Sequence, residues 1–133
     1  MTTCILDTDT IIFFLRGEEK IVHRFAARSA EELGTTIVSQ AELLYGAYYS
    51  GKKKRNMEKV EAFLKEIPVL PFCSQSSRMF ARQKAHLKKK GNLLPDLDLM
   101  IAGICLAHDL PLVTNNTRHF QRIKGLKLEN WME

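Results

Sequence analysis

Short apolar runs, each too brief for a stable helix, recur along this chain with helical patterns between them. That alternation constrains the fold more than any other feature. The runs are "TCILD" (3–7), "GTTIV" (34–38), "IPVLPF" (67–72), "LPLVT" (110–114) and "LKLEN" (126–130), and they read as strands. Helical patterns fill the intervals: "TDTIIFFLRG" (8–17), a second helix near 18–30, "SQAELLYGAYYSG" (39–51), then 52–67, and about 75–90 ending at Gly91. The segment opened by "NLLPDLDLMIAG" (92–103) and a short turn near 117–121 complete the set. Within 52–67, Met57, Val60, Leu64 and Ile67 fall at helical spacing. The alternation predicts an α/β fold: a mainly parallel sheet of about five strands with helices on both faces. In such sheets ligands sit beyond the carboxyl ends of the strands, so the residues that follow each strand bear most on function.

At 133 residues the chain is one domain's worth, 1–133, with no linker, repeat or low-complexity tract. Hydrophobic content of 45% against 26% charged residues excludes a disordered chain and is ordinary for a globular one. A formal charge of +5 tilts the choice of partner towards polyanions. The apolar runs are too short to span a bilayer and "MTTCILD" lacks the basic start of a signal peptide, so a cytoplasmic protein is expected. Cys4, Cys73 and Cys105 are odd in number, far apart and set among apolar residues, which predicts reduced core cysteines with no disulfide or zinc site.

Asp7 ends the first strand, Glu42 comes one helical turn after the second, and Thr114 to Asn116 follow the fourth. Asp98 lies in the first turn of the helix before that strand. Three carboxylates from separate parts of the chain are thus expected at one edge. Such a cluster is tolerable with a cation present, and oxygen-only ligands suit a hard ion such as Mg²⁺ or Mn²⁺. Each residue also has a plainer role open to it. Asp7 would cap the next helix, though Thr8, Asp9 and Thr10 offer the same service. Ser39-Gln-Ala-Glu42 fits a capping box, which on the residues alone is the favoured role of Glu42. Asp96 and Asp98 stand two apart on a helix, so they point to nearly opposite sides. Asp96 suits the N-cap, whereas Asp98 shares a stripe with Ile101, Ala102 and Cys105, where an unpaired carboxylate is costly.

"LDTDTII", "SQAELLYGA", "DLMIAGICLAHDLPLVTNNTRHFQRI" and "GLKLENW" occur in order from end to end of the chain. In these segments it resembles the PIN-domain ribonucleases, specifically the VapC-type toxins of toxin–antitoxin pairs. The resemblance implies a three-layer α/β/α sandwich that cleaves RNA with Mg²⁺ or Mn²⁺, is held inactive by a small VapB-type antitoxin, and forms a homodimer. It places Asp7, Glu42 and Asp98 as metal ligands, with Thr114 and Asn116 orienting water or a phosphate oxygen. Asp96 is left for the helix end or a supporting contact. Two departures from the family stand out: many relatives have Asn at the place of Asp9, and many have a further acidic residue at the place of Asn116. Three carboxylates nearly balance one divalent ion, so a single well-held metal is expected.

RNA also has to be held. Lys52, Lys53 and Lys54 (with Arg55) form a basic block, Lys88 to Lys90 another, and Arg118 lies two residues past Asn116. Lysine runs at helix ends are commonly solvated dipole partners, and Tyr45, Tyr48 and Tyr49 suit core or dimer packing better than base stacking. Two other readings stay open. "DTDT" fits the D-x-D-x-T pattern of haloacid-dehalogenase-type phosphatases, with Asp7 as nucleophile and Asp9 as acid/base, and a non-catalytic PIN-like module that binds RNA or a partner is also compatible.

Overall fold

The computed structural model describes residues 1–133. Five strands form one parallel sheet: β1 (Cys4–Leu6), β2 (Leu33–Thr36), β3 (Val69–Leu70), β4 (Leu112–Val113) and β5 (Leu128–Glu129), in the order β3-β2-β1-β4-β5. The helices are α1 (Thr8–Leu15), α2 (Glu19–Ala26), α3 (Ile37–Tyr49), α4 (Lys53–Glu66), α5 (Ser74–Lys89), α6 (Asp96–His108) and α7 (Thr117–Phe120). Strand side chains alternate between the two faces. Cys4, Leu6 and Val113 join a core built with α1 to α4, while Ile5 and Leu112 join a second core built with α5, α6 and α7. The result is the expected three-layer α/β/α arrangement. No helix is long and apolar enough to cross a membrane.

Several local expectations need correcting. The second strand ends at Thr36 and α3 starts at Ile37, because the Thr36 side chain caps the helix by accepting from the Ser39 backbone N–H at 3.0 Å. Ser39 and Glu42 therefore lie inside α3 and form no capping box. That motif appears instead at Ser29 and Glu32, opening a 3₁₀ turn (Ala30–Glu32) where the second helix was expected to end; α2 itself stops at Ala26. Asp96 is not an N-cap. Extended Pro95 holds that position, and Asp96, the first helical residue, pairs with Lys84 at 2.9 Å. The third strand shrinks to Val69–Leu70 between Pro68 and Pro71, which have no N–H to give a sheet. Cys73 is exposed at the start of α5; only Cys4 and Cys105 are buried, and all three are free thiols.

Gly103 sets how closely α5 and α6 approach. A Cβ added there would meet Ser76 O at 2.7 Å and Phe80 N at 3.3 Å, both backbone atoms that cannot swing away. Gly103→Ala should therefore destabilise the chain by about 1–3 kcal/mol through overpacking, overriding the gain of about 1 kcal/mol in helix propensity. Chemical denaturation of the two proteins measures this, and an unchanged or higher midpoint would refute it.

Candidate functional site

The strand order reverses about β1. The chain steps outward to β2 and β3, then returns to the other edge of β1 for β4 and β5. The crevice beyond the carboxyl ends of β1 and β4 is thus the switch point at which an open parallel sheet leaves room for a ligand. Asp7 follows β1 and Thr114 follows β4, and the register of Leu6 on Val113 sets them side by side. Thr114 Oγ1 donates to Asp7 Oδ2 at 2.8 Å, and the Thr8 backbone N–H donates to Asp7 Oδ1 at 2.9 Å. Asp7 therefore caps α1 while facing the crevice. Its two possible roles do not compete.

Asp7 is only 6% exposed. Burial pushes its carboxyl up to about 7, with the neighbouring Asp9 charge next and Asp98 adding to the same trend, against the donors Thr114 and Thr8. Asp9 is raised too, again chiefly by burial, although Asn115 N–H donates to it at 3.0 Å. Sequence reasoning offered Asp9 as a helix cap or, in the phosphatase alternative, as the acid/base, and did not count it among the metal ligands. Here it stands inside the acidic cluster, within reach of the same Thr114 hydroxyl at 3.4 Å.

Glu42 reaches the edge from the second turn of α3. Its Oε1 accepts from Thr8 Oγ1 at 2.6 Å, and Ser39 Oγ lies 2.9 Å from that hydroxyl. A hydroxyl has one proton, so Thr8 gives it to the carboxylate and accepts from Ser39. Asp98, half-buried in the first turn of α6, has Oδ2 2.8 Å from His119 Nε2 on α7. Sequence reasoning missed His119 and Thr8. A histidine between Arg118 and Phe120 carries no spacing signal that ties it to a residue on another helix.

The remaining candidates lie further out. Asn116 is exposed, and what it gives the cluster is its backbone N–H, which donates to Thr114 Oγ1 at 3.0 Å. Arg118 is exposed on the same short helix as His119. Lys52, Lys53 and Lys54 open α4, beyond the far end of α3, which is itself roughly 10 Å from Glu42 along that helix. Lys53 Nζ sits 5.9 Å from the Tyr48 ring. Tyr45, Tyr48 and Tyr49 are exposed, not core, and the rings of Tyr45 and Tyr49 stack at 5.8 Å.

The donor set fits a hard divalent ion in its chemistry. Asp7, Asp9, Glu42 and Asp98 supply oxygen only, and no lysine or arginine is paired with any of them. As the side chains stand, no three acidic or imidazole groups close on a single point. Glu42 and Asp98 turn instead to Thr8 and His119, as like charges do when neutral or cationic donors lie at hand.

With this geometry in view, comparison with known proteins is specific. Residues 4–126 match the PIN domain family. The chain is 32% identical to the tRNA(fMet)-specific endonuclease VapC of Salmonella typhimurium, covering 98% of this chain and 99% of that one. It is 33% identical to ribonuclease VapC2 of Haemophilus influenzae, covering 99% and 100%. In structure it is similar to a chain of the DNA-bound VapBC complex of Salmonella typhimurium, with a TM-score of 0.93 at 35% identity over 98% and 99% of the two chains. The haloacid-dehalogenase reading of Asp7 and Asp9 falls with these matches. A desolvated aspartate at the switch point of a five-stranded parallel sheet, and likeness over nearly the whole length, lead to one conclusion: the chain belongs to the VapC branch of the PIN-domain family.

Proposed function

We propose that this chain is a toxin that hydrolyses RNA phosphodiester bonds internally with the help of Mg²⁺ or Mn²⁺, and that a VapB-type antitoxin neutralises it. The observation that carries the reading is Asp7, a nearly buried carboxylate among like charges with no cationic partner. Asp7, Glu42 and Asp98 would hold the ion. When bound, it supplies charge stabilisation at the phosphate and makes water a better nucleophile at neutral pH. The chain's own residues do the positioning: Thr114 and the Thr8 N–H fix Asp7, Thr8 Oγ1 fixes Glu42, and His119 fixes Asp98. Asp9 adds negative charge beside Asp7 and Arg118 offers a cation to the RNA strand. We assign the whole of 1–133 to one PIN domain acting in the cytoplasm. The exposed Tyr45, Tyr48 and Tyr49 provide a patch for the homodimer expected of the family.

The antitoxin's place is an apolar groove of about 710 Å³ between α1, α2 and α4, lined by Phe14, Val22, Phe25, Phe63 and Ile67 among others. Ala62 is exposed on α4 and lines this groove, so a charge placed there enters the groove without entering the core. Ala62→Glu should weaken antitoxin binding about tenfold or more while leaving RNA cleavage intact. Calorimetry and a cleavage assay read the two effects separately, and antitoxin binding equal to wild type would place the antitoxin elsewhere.

The direct test is cleavage of a tRNA pool with Mg²⁺, with Mn²⁺ and with EDTA. Activity that persists in EDTA would refute metal dependence, and no cleavage under any condition would refute the nuclease. Glu42→Gln keeps an acceptor for Thr8, so its stability should stay within a few tenths of a kcal/mol. Its activity should collapse at limiting Mg²⁺ and partly return at high Mg²⁺. Thr36→Ala is the change that should cost about 1 kcal/mol of cap stability.

Asp7→Asn should abolish cleavage and yet stabilise the metal-free chain. The folded carboxyl titrates at about 7 against an ordinary 3.8, so the folded state holds a proton that the unfolded state has released. Stability is therefore full below the lower value and falls as pH rises through the upper one. Asparagine keeps the cap and carries no charge. At pH 8 in EDTA the variant should be more stable by roughly 2–4 kcal/mol, with the gap closing towards pH 4. Equal stability across that range would refute the buried, uncompensated charge.

A further inference from the structure

A second cavity, of about 290 Å³, opens between α1, α3 and α4 and has Glu42 on its wall. It differs in kind from the apolar groove. Arg16 and Lys59 bring two cations to it, Asn56 and Ser50 bring an amide and a hydroxyl, and aliphatic side chains form its floor. The Asn56 amide nitrogen donates to Ser50 Oγ at 2.9 Å, which fixes the plane of the amide. Its size lies near the lower end of small-ligand pockets, roughly 300–1,000 Å³, room for a single nucleotide and not for a helix. Gly46, one turn beyond Glu42 on the same face of α3, lies on its wall as well, and a Cβ added there meets nothing within 4 Å.

We infer that this cavity is a nucleotide subsite: it takes one unstacked nucleotide of the RNA strand next to the cleaved bond, with Arg16 and Lys59 on the phosphate and Asn56 and Ser50 on the edge of the base. The inference rests on the ribonuclease reading above and adds where the strand leaves the acidic edge. Both hollows carry two cations and one glutamate (Arg16, Lys59 and Glu42 here; Arg28, Lys59 and Glu66 in the groove), so what separates them is the uncharged lining: Asn56 and Ser50 here, almost wholly apolar side chains there. An apolar peptide face gains little from a fixed amide and a hydroxyl, whereas single-stranded RNA is anionic and is read through splayed bases hydrogen-bonded at their edges. Glu42 joins the cavity to the site directly, since it lines the cavity and accepts from the hydroxyl of Thr8, whose backbone N–H donates to Asp7.

Gly46→Leu is the discriminating variant. It fills the cavity from a position with open space and replaces the poorest helix former but proline by one of the best, so Tm should hold or rise. Measured on the tRNA pool used above, its KM should rise about tenfold or more with kcat little changed. Arg16→Ala should raise KM and lower the salt dependence of binding by about one counterion. A Gly46→Leu protein that is folded and cleaves with the wild-type KM overturns the inference while the nuclease reading stands. The same holds if it cleaves normally and is no longer neutralised by antitoxin, because the cavity then belongs to the antitoxin. A wild-type chain that cleaves no RNA overturns both.

Discussion

The architecture turns on keeping one carboxylate out of water. A charge buried without a partner is among the most costly things a small domain can hold, and Asp7 has only neutral donors around it, Thr114 and the first N–H of α1. Those donors exist because β1 and β4 are neighbours in the sheet and because α1 starts immediately after β1. Thr8 extends the network to Glu42 and Ser39, so α3 is positioned from the same point. The donors orient the carboxylate and reduce its cost without cancelling its charge. What remains is an oriented, desolvated carboxylate, which a small hard cation would hold in its charged form.

Around that centre the surface divides by chemistry. The acidic edge, the polar cavity and the apolar groove follow one another along α1, which caps on Asp7 at one end and presents Phe14 and Leu15 to the groove at the other, roughly 12 Å away. Lys59 on α4 lines both hollows. The two proposed surfaces, for substrate and for inhibitor, therefore share a wall, and the groove lies within the length of one short helix of the acidic edge.

Much of this was legible from the residues. Parallel strands buried on both faces are short unbroken apolar runs, so "CIL" and "LV" announce themselves, and the position of Asp7 follows from strand ends alone. The presence of Asp98 on the stripe of Ile101, Ala102 and Cys105 marked it as the member of its pair turned inward. The start of α3 was hidden because Ile37 and Val38 are β-branched and continue the look of the strand; a capping threonine outweighs that preference. Asp96 looked like a cap because aspartate is a favoured N-cap residue, but the extended Pro95 before it takes that place. The pairing of Asp98 with His119 was out of reach, since it depends on how α6 and α7 cross, which no periodicity encodes. The exposure of Tyr45, Tyr48 and Tyr49 was hidden for a similar reason: aromatic residues at helical spacing look the same whether a core or a partner covers them.

The register of β1 on β4 also governs when the site comes into being during synthesis. The strand beside Asp7 and the hydroxyl that orients it are made more than a hundred positions after it, and β4 takes β5 as its outer neighbour. Contacts so far apart in sequence form late, since the whole intervening loop must close first. A ribosome-bound chain that stops short of Thr114 has its acidic residues but no crevice to hold them. For a chain proposed to cleave RNA, the acidic edge is therefore complete only after β4 has been made and has paired with β1.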